Sequence, residues 1–357
     1  MIAFDYRSLP YNVLFHEGAL ARLPEEVRKL GSKALVLCTR EQRTTGQHAV
    51  DTLGEIAVGL FDRAEMHVPM QVAERARETA KELSADVCVA IGGGSTIGLG
   101  KAIALVSEIP IVAVPTTYAG SEMTPIWGIT ADGYKKTGRD FRVLPRTVIY
   151  DPALTLTLPA SLSGTSGINA LAHCAEALYT KDTNPVLQLM AEEGIRALAG
   201  SLPRITKTPD DMNLRSEALY GAWLAGTCLG AAGVALHHKI CHTLGGMCNL
   251  PHAETHTIIL PYALAYNARF VPEAMKRIAR AMQVDDVPQG LYRLAKAVGA
   301  KTALRDLGMS EADIDRVAAA AIENSYWNPA PITQAGIRLL LHDAFCGLEP
   351  GQTPLPA

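Results

Sequence analysis

Between residues 33 and 150, short runs rich in Val and Ile alternate with amphipathic stretches, and beyond residue 159 the runs stop. The runs at 33–38, 56–61, 86–91, 111–114 and 147–150 have strand length, and those at 44–53, 72–83 and 96–106 have helical periodicity. Apolar strands joined by helices make a parallel sheet with helices on both faces, and ligands of such sheets bind outside the strands' carboxyl ends. After residue 159 the pattern reads as helix upon helix, at 271–284, 287–298, 302–308, 310–325 and 333–346, punctuated by pieces such as Thr183-Asn184-Pro185. The fold class expected is an α/β N-terminal dinucleotide-binding domain, Rossmann-like with a parallel sheet (1–157), plus an all-α C-terminal domain (158–357). The active site is expected in the cleft between them, and residues 348–357 as a loose tail.

A chain of 357 residues suits two domains, and 48% apolar with 19% charged residues suits a globular enzyme. A net charge of −3 without a basic block argues against nucleic acid as a partner. The first fifteen residues lack the basic start, apolar run and cleavage site of a signal peptide. Seven cysteines form no paired framework, and Cys38 and Cys88 close apolar runs as buried hydrophobes do. A cytoplasmic protein is expected. The uncharged stretch 218–236 is long enough for a membrane span, but its Ala and Gly content favours a buried core helix.

The run at 86–91 leads into Gly92-Gly93-Gly94-Ser95 and then a helix beginning near Thr96. Glycines let a phosphate approach the backbone, and a helix N-terminus offers free N–H groups. The pattern is neither GxGxxG nor a P-loop, and a bare strand-to-helix turn would look similar. At the next strand end, Pro115-Thr116-Thr117-Tyr118-Ala119-Gly120-Ser121 places hydroxyls in the same crevice, where an ordinary helix cap is the bland alternative.

Histidines concentrate in two segments, around His173 and over residues 236–252. His238 and His242 are four apart, as are Asn169 and His173, so each pair shares a helix face. Gly245-Gly246 and Pro251 are expected to turn His252 back toward the same point. Such a cluster serves either a divalent metal or proton handling. His16, His48 and His67 are expected to do no chemistry, and His237 to flank the site.

Gly92–Ser95 with Lys101, then PTTYAGSE, Asp151-Pro152, GINALAHCAE and HHKICHTLGGMCNLPH together resemble the iron-containing alcohol dehydrogenase family, in order and over nearly the whole chain. The resemblance implies that Gly93, Gly94 and Ser95 hold a dinucleotide's pyrophosphate, that Thr116, Thr117 and Ser121 line its cleft, and that a lysine of Tyr134-Lys135-Lys136, taken as Lys136, joins them. It implies a homodimer. The family's metal-binding aspartate and three histidines map to Asn169, His173, His238 and His252, and His242 matches a further histidine near the substrate. A neutral amide at 169 removes one negative charge from a dication site. The residues 133–140, 144–152, GINALAHCAE and LHHKICHTLGG resemble more particularly the maleylacetate reductase branch, some of whose members are regarded as metal-independent. Ala330 stands where that branch suggests arginine.

The implied activity is reduction of maleylacetate, a small dicarboxylate, to 3-oxoadipate with NADH or NADPH in aromatic-compound degradation, with no metal required. His173, His238, His242 and His252 are the expected catalytic group, of which His242 and His173 serve as acid or oxyanion donor. Lys239 and Asn169 are expected to bind substrate. Arg40, after the first strand, suits a 2′-phosphate, so both cofactors are expected to work. The rival readings are a metal-dependent alcohol dehydrogenase of the same family, a lyase like dehydroquinate synthase, and a nucleotide-binding protein without catalysis.

Overall fold

The computed structural model describes residues 8–9, 11–131, 134–323 and 326–351, excluding the side chains of Tyr134 and Lys135. The chain forms two compact units, one spanning Ser8–Leu158 and the other residues 159–351.

The first unit runs β1 (Asn12–Phe15), α1 (Leu23–Arg28), β2 (Ala34–Leu37), α2 (Arg43–Leu53), β3 (Ala57–Phe61), α3 (Met70–Glu82), β4 (Val87–Gly92), α4 (Gly94–Ser107), β5 (Ile111–Pro115), β6 (Ile126–Ala131), β7 (Tyr134–Arg139) and β8 (Thr147–Tyr150). Six strands pair in the order β1-β8-β5-β4-β2-β3, all parallel. Both sheet faces are buried, which is why the strands read as unbroken apolar runs. Val36, Val89, Val112 and Ile149 pack with α1 and α2 on one side, whereas Leu35, Leu37 and Cys88 pack with α3 and α4 on the other. From β2 the chain moves outward to β3, and from β4 it moves the opposite way to β5. The switch point therefore lies between β2 and β4, where a crevice opens at the carboxyl ends.

Strands β1, β6 and β7 escape the sequence pattern. β1 is a four-residue edge strand on β8. β6 and β7 form an antiparallel hairpin in which Gly138 lies under the Trp127 ring, a Cβ there falling 2.7 Å from Trp127 Cζ2. Bulk from one strand covers the bare glycine of the other, so tertiary packing makes a strand of a Lys-Thr-Gly-Arg sequence.

The second unit is helical throughout its described residues: α5 (Ala160–Ala177), α6 (Pro185–Ile205), α7 (Met212–Ala231), α8 (Leu236–Cys248), α9 (His252–Asn267), α10 (Pro272–Met282), α11 (Val287–Ala297), α12 (Asp313–Ile322) and α13 (Gln334–Cys346). Leu236, Ile240 and Leu244 of α8 pack with Ile258, Ile259 and Tyr262 of α9, Val317 of α12, and Ile337 and Leu341 of α13. The expected helix at 302–308 is a single 3-10 turn, Leu304–Leu307, stopped by Gly308 at φ 96°. The helix expected at 310–325 is the shorter α12, and Ser325 lies outside the described residues, as do residues 352–357 of the expected tail and the first seven residues.

The uncharged stretch 218–236 is not one helix. α7 stops at Ala231, and α8 sets off from it at 93°. No single described helix is long and apolar enough to cross a membrane, and only the bent α7–α8 pair reaches that length and composition together. Nor do Gly245 and Gly246 make a turn, since both lie inside α8. The reversal comes three residues later, at Asn249 with φ 51°, followed by Leu250 and Pro251. All seven cysteines are free, and burial pushes the thiols of Cys38 and Cys88 up to about 11 and about 12.

Candidate active site

Loops after β2, β4 and β5 meet at the switch point. Gly92 closes β4 at φ 151°, Gly93 caps α4, and the helix begins at Gly94, two residues before the sequence suggested. The N–H groups of the first turn of α4 point outward without helical acceptors, as an anion requires. Side chains at Gly92 and Gly93 would crowd their neighbours. A Cβ on Gly93 would stand 3.0 Å from Thr117 Cγ2, and one on Gly92 only 2.5 Å from Gln42 Oε1 and Thr96 Oγ1. The Thr116 N–H donates to Gly92 O (3.1 Å), and Gln42 Nε2 donates to Thr116 Oγ1 (2.6 Å), tying the three loops together. Gln42 was not singled out by its sequence context.

Lys101, on the buried side of α4, braces the third loop. Its Nζ donates to Ser121 O (2.6 Å), Ile126 O (2.8 Å), Thr124 Oγ1 (3.0 Å) and Ser121 Oγ (3.2 Å). Burial lowers its pKa to about 7 against the pull of Glu122, while burial raises the Glu122 carboxyl, which accepts from Tyr150 OH at 2.9 Å. Lys136 sits on the exposed side of β7 opposite Ile129, and Arg40 is exposed just beyond β2.

In the helical unit the histidines do gather. Asn169, His173 and Glu176 form one stripe along α5, at intervals of four and three residues, and all are buried. The His173 ring stacks on that of His238 with centroids 5.1 Å apart. His242, one turn along α8, lies 6.0 Å from His238 and 6.5 Å from His252. His238 is buried, whereas His242 and His252 are exposed. Asn169 Oδ1, His173 Nδ1 and His238 Nε2 are buried and face no hydrogen-bond partner among the described residues.

Three further residues complete the cluster. His237 does more than flank the site, because its Nε2 meets His256 Nδ1 at 2.9 Å in the interior beneath it. His256 in turn lies 4.2 Å from His252, ring to ring. Burial holds His173, His237 and His256 well below the ordinary histidine value, with neighbouring imidazoles adding to the effect, so all three are neutral at pH 7. Glu176, 1% exposed, accepts from His238 Nδ1 (2.6 Å), Ala235 N–H and His237 N–H (2.9 Å each). Its place in GINALAHCAE, seven residues after Asn169, was the available signal. Lys239, next to His238 on α8, has its Nζ 5.5 Å above the Tyr326 ring.

Two family models match the chain, "Iron-containing alcohol dehydrogenase" over residues 10–152 and "Fe-containing alcohol dehydrogenase family, C-terminal" over residues 163–345. The chain is 56% identical over 347 residues to the maleylacetate reductase of Sphingobium indicum, covering 97% of this chain and 99% of that protein. It is 54% identical to the maleylacetate reductase of Burkholderia cepacia, covering 98% and 100%. The crystal structure of maleylacetate reductase from Agrobacterium tumefaciens superposes with a TM-score of 0.94 at 47% identity, covering 98% of this chain and all of that one. The chain belongs to the iron-containing alcohol dehydrogenase family. Within that family it falls in the maleylacetate reductase branch.

Family members that carry a metal would hold it at positions 169, 173, 238 and 252. The orphaned buried atoms at three of these positions are what a metal site leaves behind. The charge is not. None of the four side chains carries a negative charge, and the carboxylate touching the cluster, Glu176, already accepts three N–H groups. A dication placed here would have no carboxylate among its four ligands, so this donor set holds one less firmly than a set with an aspartate at position 169 would. Ala330, in the place of the branch's arginine, is buried in the α8–α13 core, where its carbonyl accepts from Asn328 Nδ2 at 2.9 Å.

Proposed function

We propose that this chain is a maleylacetate reductase that reduces maleylacetate to 3-oxoadipate with NADH or NADPH, without a metal, in the degradation of aromatic compounds. The observation that carries the reading is the whole-length kinship, above 50% identity, to curated reductases of that name. Asn169 supports its metal-free form. A cytoplasmic homodimer is the accompanying expectation.

The cofactor's pyrophosphate rests on Gly93, Gly94 and Ser95 at the start of α4, with Thr116, Thr117 and Ser121 beside it and Lys136 reaching it from the hairpin. Arg40 accommodates a 2′-phosphate, which lets both cofactors work. Substrate binds on the histidine cluster, with Asn169 and Lys239 toward its carboxylates.

Hydride adds to the alkene carbon remote from the ketone, and the π electrons move onto the ketone oxygen to give an enolate. The carbon next to the ketone then takes a proton. Fixed donors at the oxygen and an acid of near-neutral pKa are what this step needs. His173, buried and neutral, donates to the oxygen. His242, exposed on the same face of α8 as His238, supplies the proton. His238 and His252 line the pocket.

The test is oxidation of NADH with maleylacetate, in untreated and exhaustively chelated enzyme. Equal rates are expected. Loss on chelation that Fe²⁺ or Zn²⁺ restores would replace this reading with a metal-dependent dehydrogenase, and no turnover in either sample would remove the substrate assignment.

A further inference from the structure

We propose that Glu176 is a positioning residue for the reduction: it fixes the start of α8 and holds His238 in the single tautomer that presents Nε2 to the substrate. This rests on the assignment of the histidine cluster as the reaction site.

The argument begins with the break between α7 and α8. Ala235, the residue preceding α8, has no side-chain oxygen to cap the helix. The N–H groups at this end, turned 93° from the preceding helix and buried, must find acceptors elsewhere. Glu176 reaches across from α5 and takes two of them, Ala235 N–H on Oε2 and His237 N–H on Oε1. Asn328 Oδ1 lies 3.4 Å from the one between, Leu236 N–H. A carboxylate thus stands at the positive end of the helix that carries His238 and His242.

The same Oε2 is 2.6 Å from His238 Nδ1. Because both carboxylate oxygens already accept backbone N–H groups, the shared hydrogen is on Nδ1. His238 is then left one ring nitrogen clear of the carboxylate, Nε2. That atom is buried, has no partner among the described residues, and shares its surroundings with Asn169 Oδ1 and His173 Nδ1, which are orphaned in the same way. A carboxylate behind an imidazole fixes which nitrogen works and how the ring is turned, and losing such a partner typically lowers activity ten- to hundredfold. Glu176 touches neither substrate nor cofactor and acts through His238.

Imidazole nitrogen correlation spectra of selectively ¹⁵N-labelled wild-type enzyme in alkaline buffer read the tautomer directly, with His238 assigned by H238A. Hydrogen on Nδ1 is expected, and hydrogen on Nε2 would overturn the proposal whatever the variants do. For E176Q, kcat should fall roughly ten- to hundredfold. KM and NADH affinity should change little, the melting temperature should fall because one of the two buried α8 N–H groups loses its acceptor, and the His238 signals should lose the Nδ1–H pattern. E176D, which keeps the carboxylate, should recover part of kcat. In an H238A background E176Q should cost nothing further, since the two residues act as one unit. An unchanged kcat in E176Q, or an equal loss in both backgrounds, would sink the idea. Should wild-type enzyme fail to reduce maleylacetate, the spectra still decide the Glu176–His238 relationship, so the two failures are distinguishable.

Discussion

Gly93 faces Thr117 so closely that a methyl group added to its α carbon would stand 3.0 Å from Thr117 Cγ2 and 3.1 Å from Thr117 Oγ1. The loop after β4 and the loop after β5 are therefore set one against the other, with the missing side chain as the condition of contact. Gly93→Ala should push the two loops apart by a few tenths of an ångström and displace the first N–H groups of α4. Affinity for NADH should fall severalfold to tenfold while the helical unit is untouched. Equilibrium titration by nicotinamide fluorescence checks it, and an unchanged Kd would mean the pyrophosphate lies elsewhere.

Lys101 supplies a second handle on the same crevice. Lys101→Met keeps the length of the side chain but deprives Ser121 O and Ile126 O of their donor in the interior. Hydrogen bonds from a charged donor contribute about 1.5–3 kcal/mol each, and a buried acceptor left unmade costs a similar amount. A loss of roughly 3 kcal/mol in urea unfolding is expected, with a raised KM for NADH, because the brace under Ser121 is gone. If stability falls but KM for NADH stays put, Ser121 is no part of the cofactor site.

The sheet was legible because its strands are buried on both faces, so each reads as an apolar run whatever lies around it. Structure that depends on distant partners was not legible. β7 becomes a strand only because Trp127 covers Gly138, and β1 only because β8 offers an edge. Glycines at 245 and 246 suggested a turn, yet a Cβ at either position would meet nothing within 4 Å among the described residues, so side-chain room there does not require glycine. Leu236, Ile240 and Leu244 hold that helix against the core. In the site, Asn169, His173, His238 and His242 were visible through their spacing. His256 was not, since it contacts His237 across two helices, and Glu176 was overlooked although it shares the stripe of Asn169 and His173.

Exposure distinguishes His242 from His173. His242 stands at the surface of its unit, whereas His173 is buried and stays neutral at pH 7. His242→Asn should lower kcat by about 10²- to 10³-fold, the usual worth of a positioned acid, with a smaller effect on KM. His173→Asn keeps a hydrogen-bond donor and should lose less. Steady-state kinetics on both decides the assignment, and a larger loss at His173 would exchange their roles.

The buried imidazoles also set how the protein responds to acid. Burial holds His173, His237 and His256 below 6.5, so the unfolded chain binds protons on these residues more readily than the folded one. Their contribution is complete above that value and is lost as pH falls beneath it. The loss approaches roughly 1.4 kcal/mol per pH unit for each, or about 4 for the three together, until the folded pKa values are reached. Urea midpoints followed from about pH 8 down to about pH 5 should be flat at first and then fall steeply. A flat profile throughout would mean that the three rings accept protons in the folded state.

Asn169 gives the most direct test of whether this cluster has a use for a metal. Asn169→Asp changes one atom and restores a negative charge beside His173 in a buried position where the amide oxygen has no partner. Without a metal that charge is uncompensated, and an unpaired buried charge costs about 3–5 kcal/mol. With Zn²⁺ or Fe²⁺ present, the carboxylate and three imidazoles form a donor set of the right charge. The melting temperature of the variant should therefore drop in chelator and recover on metal addition, and metal analysis after gel filtration should find about one ion per chain. The wild-type enzyme should show no shift with either treatment. Equal metal retention by both proteins would show that the charge at position 169 is not what decides binding, and that three imidazoles suffice.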